Sequence, residues 1–260
     1  MKKRCISILA VLAVLTLLPV AGLAADSITI DTNPVFENGY TTLNWTDSEN
    51  AGPYTVAYML DDGDKTPQRA YLANRTKEDS VTAKPYMKVK GLIPGHTYII
   101  GVIDSQNREK DAWITVPEAT EFEDGKLKAK SVSVTVEPRY ARSQTSSVQG
   151  LDRFIASDML AHIEEYYYGI RYEIRLPKLA YDRDYLVQIV MIAPNGFAET
   201  VFADSYVFGS GPRYQYKIKF LGDTFFYNLY QACSDIPAGV YTVQLYLNGM
   251  LANTREFKVR

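Results

Sequence analysis

The segment Leu92-Ile93-Pro94-Gly95-His96-Thr97-Tyr98 runs directly into Ile99-Ile100-Gly101-Val102-Ile103. Proline fixes one backbone angle and glycine frees the next position, so the chain turns sharply there. The β-branched residues that follow favour an extended strand. Tyr98 stands at the strand entrance, where its hydroxyl can tie the strand back to the corner. A corner of this kind closes one end of two packed sheets, so the rest of the chain has to supply strands at a regular beat.

The amino terminus sets a second constraint. Lys2, Lys3 and Arg4 precede an apolar run from Ile6 to Val20, and Gly22 and Ala24 stand at signal-peptidase spacing. Residues 1–24 therefore read as a signal peptide cleaved after Ala24, with a secreted or cell-envelope-associated product. The run is short of the ~20 residues a spanning helix needs, and Pro19 breaks its end. No second long apolar run follows, so no membrane span is expected in the mature chain. Cys5 precedes the apolar run rather than marking a lipid-attachment point.

Removing the leader takes the 28 basic residues to 25 against 30 acidic ones, a net charge of −5. That mildly acidic balance argues against nucleic acid as a partner. Cys233 is the one cysteine left, so no internal disulfide forms and stability must come from packed sheets. In its apolar context it reads as a small buried residue. A chain of 260 residues has room for two such bodies.

Residues 25–117 carry strand signals over 27–31, 41–46, 54–61, 68–73, 85–89, 97–104 and 111–116, with turn chemistry between them and no helical period. Asn38-Gly39 and Asp62-Gly63 supply turns. Alternation sends Leu43, Trp45, Tyr54, Val56, Tyr58, Tyr98, Ile100 and Val102 to one side as the core. Leu43-x-Trp45, Pro53-Tyr54-x-Val56-x-Tyr58 and Leu92-x-Pro94-Gly95-x-x-Tyr98, in that order, resemble a fibronectin type III domain over about 90 residues. His96 stands where that family often has threonine, at a position expected to face solvent. The resemblance implies a non-catalytic module that spaces or binds, with no cofactor.

Alternation leaves one strip on the outer face. If Ala112, Ile114 and Val116 point inward, Trp113 points out, beside Met59, Ile99, Ile103 and Ala57, with Gly101 leaving a gap next to it. An apolar strip on a solvent face implies contact, either with the second half of the chain or with an external protein or sugar ligand.

Glu118 to Lys128 is polar and lacks alternation, which makes 118–128 a linker. The second body, 129–260, opens with a strand over 131–136. A helical period then follows through Leu151, Phe154, Ile155, Met159, Leu160 and Ile163. Further strands are expected over 170–176, 185–192, 201–208, 214–221, 225–232, 240–247 and 251–259. Ile236-Pro237-Ala238-Gly239-Val240-Tyr241 echoes the first corner, so a second, immunoglobulin-like sandwich with one short helix is expected. A plain two-residue turn at Asn248-Gly249 would pair Val240 with Phe257 and expose that ring. A bulge in or beside this hairpin is therefore predicted. The tyrosines concentrate here, and Tyr166, Tyr167 and Tyr168, Tyr214 with Tyr216, and Phe225 to Tyr227 are candidates to stack on sugar or peptide, or simply favoured strand residues.

Reactive constellations are sparse. His162-Ile163-Glu164-Glu165 lacks the second histidine of a zinc-protease helix, and Asp61-Asp62-Gly63-Asp64 does not match a calcium loop, so no metal is expected. Gly209-Ser210-Gly211 is followed by Pro212 and lacks a nucleophile elbow's strand-to-helix setting. Asn44-Trp45-Thr46 and Asn74-Arg75-Thr76 match the glycosylation pattern without indicating a role. The sequence thus leads to an all-β, two-sandwich protein that binds a protein or polysaccharide without catalysis. Its binding candidates are Trp113, Met59, Ile99, Ile103 and Tyr166–Tyr168. The alternative is a carbohydrate-active enzyme or accessory subunit with an acidic pair in an aromatic groove of the second body.

Overall fold

The computed structural model describes residues 27–61, 81–118, 133–142, 146–147, 149–175, 183–208, 215–218 and 223–260. The expected signal segment, the expected strand over 68–73, the expected Asp62-Gly63 turn and nearly all of the expected linker fall outside them. Among the described residues, sixteen strands and two short helices place the chain in the all-β class.

The N-terminal sandwich has two layers. One contains β1 (Ile28–Ile30), β2 (Val35–Glu37), β3 (Tyr40–Asp47) and β6 (Tyr86–Lys90), in which β1, β2 and β6 all pair with β3. The other is ordered β5-β4-β7-β8, from β5 (Val81–Thr82), β4 (Tyr54–Leu60), β7 (Thr97–Ile103) and β8 (Glu109–Thr115). Every pairing is antiparallel. Leu43, Trp45, Tyr54, Val56, Tyr98, Ile100, Val102, Ile114 and Val116 are buried between the layers, and Tyr58 packs on their margin. This is the architecture the fibronectin type III resemblance implies.

The corner closes as its residues demand. Gly95 takes φ +78°, which a side chain would strain, and the Ile93 N–H donates to the Tyr98 hydroxyl at 2.9 Å. His96 is half-buried rather than solvent-facing, its Nδ1 donating to the Pro94 carbonyl at 3.1 Å. The second corner repeats the device with the bond reversed, since the fully buried Tyr241 donates to the Pro237 carbonyl at 2.8 Å. Tyr241→Phe is expected to cost about 1 kcal/mol by leaving that carbonyl without its donor. Urea unfolding measures the change, and an unaltered midpoint would show that the bond is not part of the corner's stability.

The C-terminal sandwich pairs β10 (Gln149–Gly150), β9 (Ser133–Ala141), β11 (Tyr167–Arg175) and β14 (Gln215–Ile218), in that order, against a sheet ordered β13-β12-β15-β16. Those strands are β13 (Ala198–Phe208), β12 (Arg183–Ile192), β15 (Gly239–Leu247) and β16 (Met250–Val259). The predicted bulge is present. Leu247 pairs with Met250 and Tyr246 with Leu251, then the register slips at Leu245, so that Tyr241 rather than Val240 faces Phe257. The two rings stack at 5.3 Å.

The structure corrects two assignments here. The helix α1 is only Ala156–His162, because Phe154 is held extended by a parallel bridge to Val259. The expected strand over 225–232 is a helix, α2 (Asp223–Cys233), which drives Phe225, Phe226 and Leu229 into the core.

Val187, Ile189 and Met191 of β12 face the C-terminal core, while Val190, with Ala198 and Tyr246, joins the N-terminal cluster. Burial on both faces explains the apolar run from Tyr185 to Ile192, which only Gln188 interrupts. The surface covered is the corner end of the first sandwich. Gln188, 1% exposed, donates to the Leu92 carbonyl at 3.1 Å, and the Thr200 hydroxyl donates to the Gly91 carbonyl at 2.6 Å. The C-terminal sandwich therefore docks on the corner, and the strip around Trp113 is a different surface.

Candidate binding face

Strand register sets the geometry of that strip. Met59 lies opposite Ile99 and Ile99 opposite Trp113, forming one cross-strand row on the outer face of the β5-β4-β7-β8 sheet. Ala57, Gly101 and Asp111 form the next row, and Thr55, Ile103 and Glu109 the one after. Trp113 is 56% exposed, Met59, Ile99 and Ile103 are half-buried, and Ala57 is buried. Tryptophan on an edge strand is thus supported from below by apolar neighbours while one side of its ring stays open.

The indole is fixed rather than free. Its N–H donates to Asp61 Oδ2 at 2.8 Å, one row beyond Met59. Asp61 was legible only as the start of an acidic turn, and its part in orienting Trp113 follows from strand pairing that no local pattern carries. The gap expected beside Gly101 is filled, because a Cβ there would meet Asp111 Oδ1 at 2.9 Å. The bare glycine lets a carboxylate lie across the sheet. Asp61, Glu109 and Asp111 together give the apolar strip an acidic rim.

The tyrosine candidates of the C-terminal sandwich lie apart from this face. Tyr166 stacks on His162 at 4.8 Å, has Tyr140 at 5.8 Å, and carries the Arg142 guanidinium 5.9 Å from its ring centre. Tyr168 is 6% exposed and directs its hydroxyl to the Asp158 carbonyl at 3.4 Å, with burial pushing that hydroxyl up to about 12. Tyr167 stands in β11 opposite Ala141. Tyr166 and Tyr168 are partners of one another within the fold, whereas Trp113 is turned to solvent.

A second charged group clamps loops at one end of the N-terminal sandwich. Asp104 accepts from the Gln106 and Arg108 N–H groups, and Arg108 Nε reaches its other oxygen at 2.6 Å. Arg108 also pairs with Glu49 at 2.5 Å. Burial pushes the Asp47 carboxyl up, but N–H groups of Glu49 and Ala51, the Tyr54 hydroxyl and the Arg108 charge outweigh it and hold it below the usual aspartate range. Asp104 is lowered in the same way, against its burial, by the Gln106 and Arg108 donors. Both carboxylates have their oxygens occupied by donors of the fold, so the cluster serves to hold the 104–108 loop against 47–54.

Glu199 on β13 differs in kind. Asn228 of α2 donates to its Oε1 at 2.8 Å, while Oε2 is buried with no hydrogen-bond partner among the described residues. Burial raises this carboxyl to about 7, against the lowering by Asn228. No group of three or more metal-ligating side chains is present among the described residues, and no helix among them is long and apolar enough to cross a membrane.

No family model matches the chain, and no curated protein matches it. Solved structures similar to it include the FN1-FN3 domains of chicken CNTN1, at 8% identity and a TM-score of 0.24, covering 90% of this chain and 97% of that one. Another is a carbohydrate-binding module from the β-sandwich superfamily, at 15% identity and a TM-score of 0.21, covering 88% of this chain and 96% of that one. The architecture itself rests on the strand pairing and the two cores described above.

Proposed function

We propose that the chain is a secreted, non-catalytic binding and spacing protein that recognises a protein or glycan through the outer face of the β5-β4-β7-β8 sheet. The observation that carries this reading is Trp113, more than half exposed on a rigid strand, oriented by Asp61 and backed by Ile99 and Met59. A large ring held in one orientation loses little entropy on contact, and its apolar area is returned when a ligand covers it. The acidic rim supplies acceptors for sugar hydroxyls or for peptide N–H and cationic groups. The docked second sandwich spaces this face from whatever the C-terminal half meets.

The test is a glycan and peptide array probed with the mature chain and with Trp113→Ser. Capture by the wild type is expected to fall roughly tenfold or more in the variant, as for an interface anchor, with an unchanged melting temperature. Equal capture by both proteins would remove Trp113 from the binding face.

A further inference from the structure

The two outer faces of the N-terminal sandwich carry opposite charge. On the Trp113 side, the outward ionisable groups among the described residues of β4, β7 and β8 are Glu109 and Asp111, with Asp61 just past the end of β4, and none of them is basic. On the far side, β3 and β6 turn Tyr40, Thr42 and Asn44, and Lys90, Lys88 and Tyr86, outward in paired rows. Lys88 Nζ lies 4.5 Å over the Tyr40 ring, and Lys84 Nζ lies 3.2 Å from the Tyr86 hydroxyl. Tyr86 is 44% exposed and Val35, outward on β2 opposite Thr42, 55%, so this face is apolar as well as basic. Glu37 is the outward acid of β2, opposite Tyr40 and therefore in the Lys90 row, and Lys90 itself reaches Asp204 of the second sandwich at 3.4 Å. The free positive charge is at the Lys84 and Lys88 end.

We propose that copies of this chain associate head to tail, the Trp113 face of one resting on the Tyr86 face of the next. The proposal rests on the Trp113 side being a binding face and names its occupant, a second copy. The strand period makes the match. Glu109, Asp111 and Trp113 recur at every second residue of β8, about 6.6 Å apart, and Lys90, Lys88 and Tyr86 do so along β6 in the opposite chain direction. Two such faces stacked at the usual sheet separation of about 10 Å bring Asp111 to Lys88 and Trp113 to Tyr86 in the same register. Two Trp113 faces set against each other would oppose their carboxylates, and two Tyr86 faces their lysines, so like-with-like pairing is disfavoured. Joining unlike faces does not close after two copies, and it adds further copies in series.

Sedimentation velocity of the mature chain tests this. The wild type is expected to show a sedimentation coefficient that rises with concentration and falls back at high salt, where exposed charges are screened. Asp111→Lys and Lys88→Glu should each weaken self-association roughly tenfold or more. An equimolar mixture of the two variants should regain it, because each altered face then meets a complementary one. Glu109→Lys, at an exposed site, repeats the acidic-side test and leaves Asp111 itself over Gly101. A wild type that stays monomeric throughout, or variants that associate as it does, would overturn the proposal. If that monomer still captures a glycan or peptide in a Trp113-dependent way, the binding face stands and only the second copy is wrong. If it captures nothing, both fall.

Discussion

Phe226→Ala is expected to remove about 3–5 kcal/mol from the stability of the C-terminal sandwich, the usual range for truncating a large buried aromatic. Phe226 is fully buried and its ring centre lies 5.2 Å from Phe154, 5.5 Å from Phe225, 5.8 Å from Tyr241 and 6.4 Å from Phe257. These partners come from α2, β15, β16 and the extended segment before α1, so the cavity would open where four parts of the fold meet. Collapse around it is restricted because Tyr241 is also tied to Pro237 and stacked on Phe257. Far-UV circular dichroism in urea reports the loss. Tryptophan fluorescence does not report it directly, since Trp45 and Trp113 both belong to the N-terminal sandwich. A loss below about 1 kcal/mol would mean the site relaxes freely and that α2 is not the centre of this core.

The same helix marks where the sequence stops being legible. Phe225, Phe226 and Leu229 are read as strand residues because aromatic residues crowd the segment and aromatics favour strands. Position in the fold overrides that preference, since α2 places those three side chains in one buried cluster with Met191 and Val243 of one sheet and Ile170 of the other. Where local chemistry is decisive, sequence and structure agree. The glycine-bearing corners place Tyr98 and Tyr241 inward with their hydroxyls bonded to the corner. The hairpin bulge follows from the need to bring Phe257 to the apolar side. Alternation also finds the outward row of Met59, Ile99 and Trp113. It cannot find what depends on long-range register. The Asp61 bond to Trp113 spans 52 residues, and the Asp111 carboxylate over Gly101 and the lysines on the opposite face acquire meaning only after the sheets are stacked. The run Tyr185–Ile192 signals burial of both faces of β12, yet nothing in it says that the second face meets the first corner.

Stability of the C-terminal sandwich is expected to fall as pH rises from about 4.5 to about 7, opposite to the trend set by Asp47 and Asp104 in the first. The cause is Glu199, whose carboxyl is raised by burial to about 7 from an ordinary 4.5. Between those values the folded chain holds a proton that the unfolded chain has released, so the folded state is favoured by acid and the advantage is lost as pH climbs through the folded value. At about 1.4 kcal/mol for each factor of ten, the interval corresponds to about 3 kcal/mol. Asn228 satisfies Oε1 in either state, while Oε2 has no donor among the described residues to support a negative charge. Glu199→Gln keeps the acceptor for Asn228 and abolishes the ionisation. It is expected to stabilise the protein by about 3 kcal/mol above pH 7, the full interval, because the neutral amide takes the place of the protonated acid at the same buried position. Below pH 4.5 the variant and the wild type should be close to equal. Urea unfolding at acid and at alkaline pH, with both proteins, separates the outcomes. The wild type and variant differing equally at both pH values would show that Glu199 ionises with little penalty and that solvent reaches Oε2.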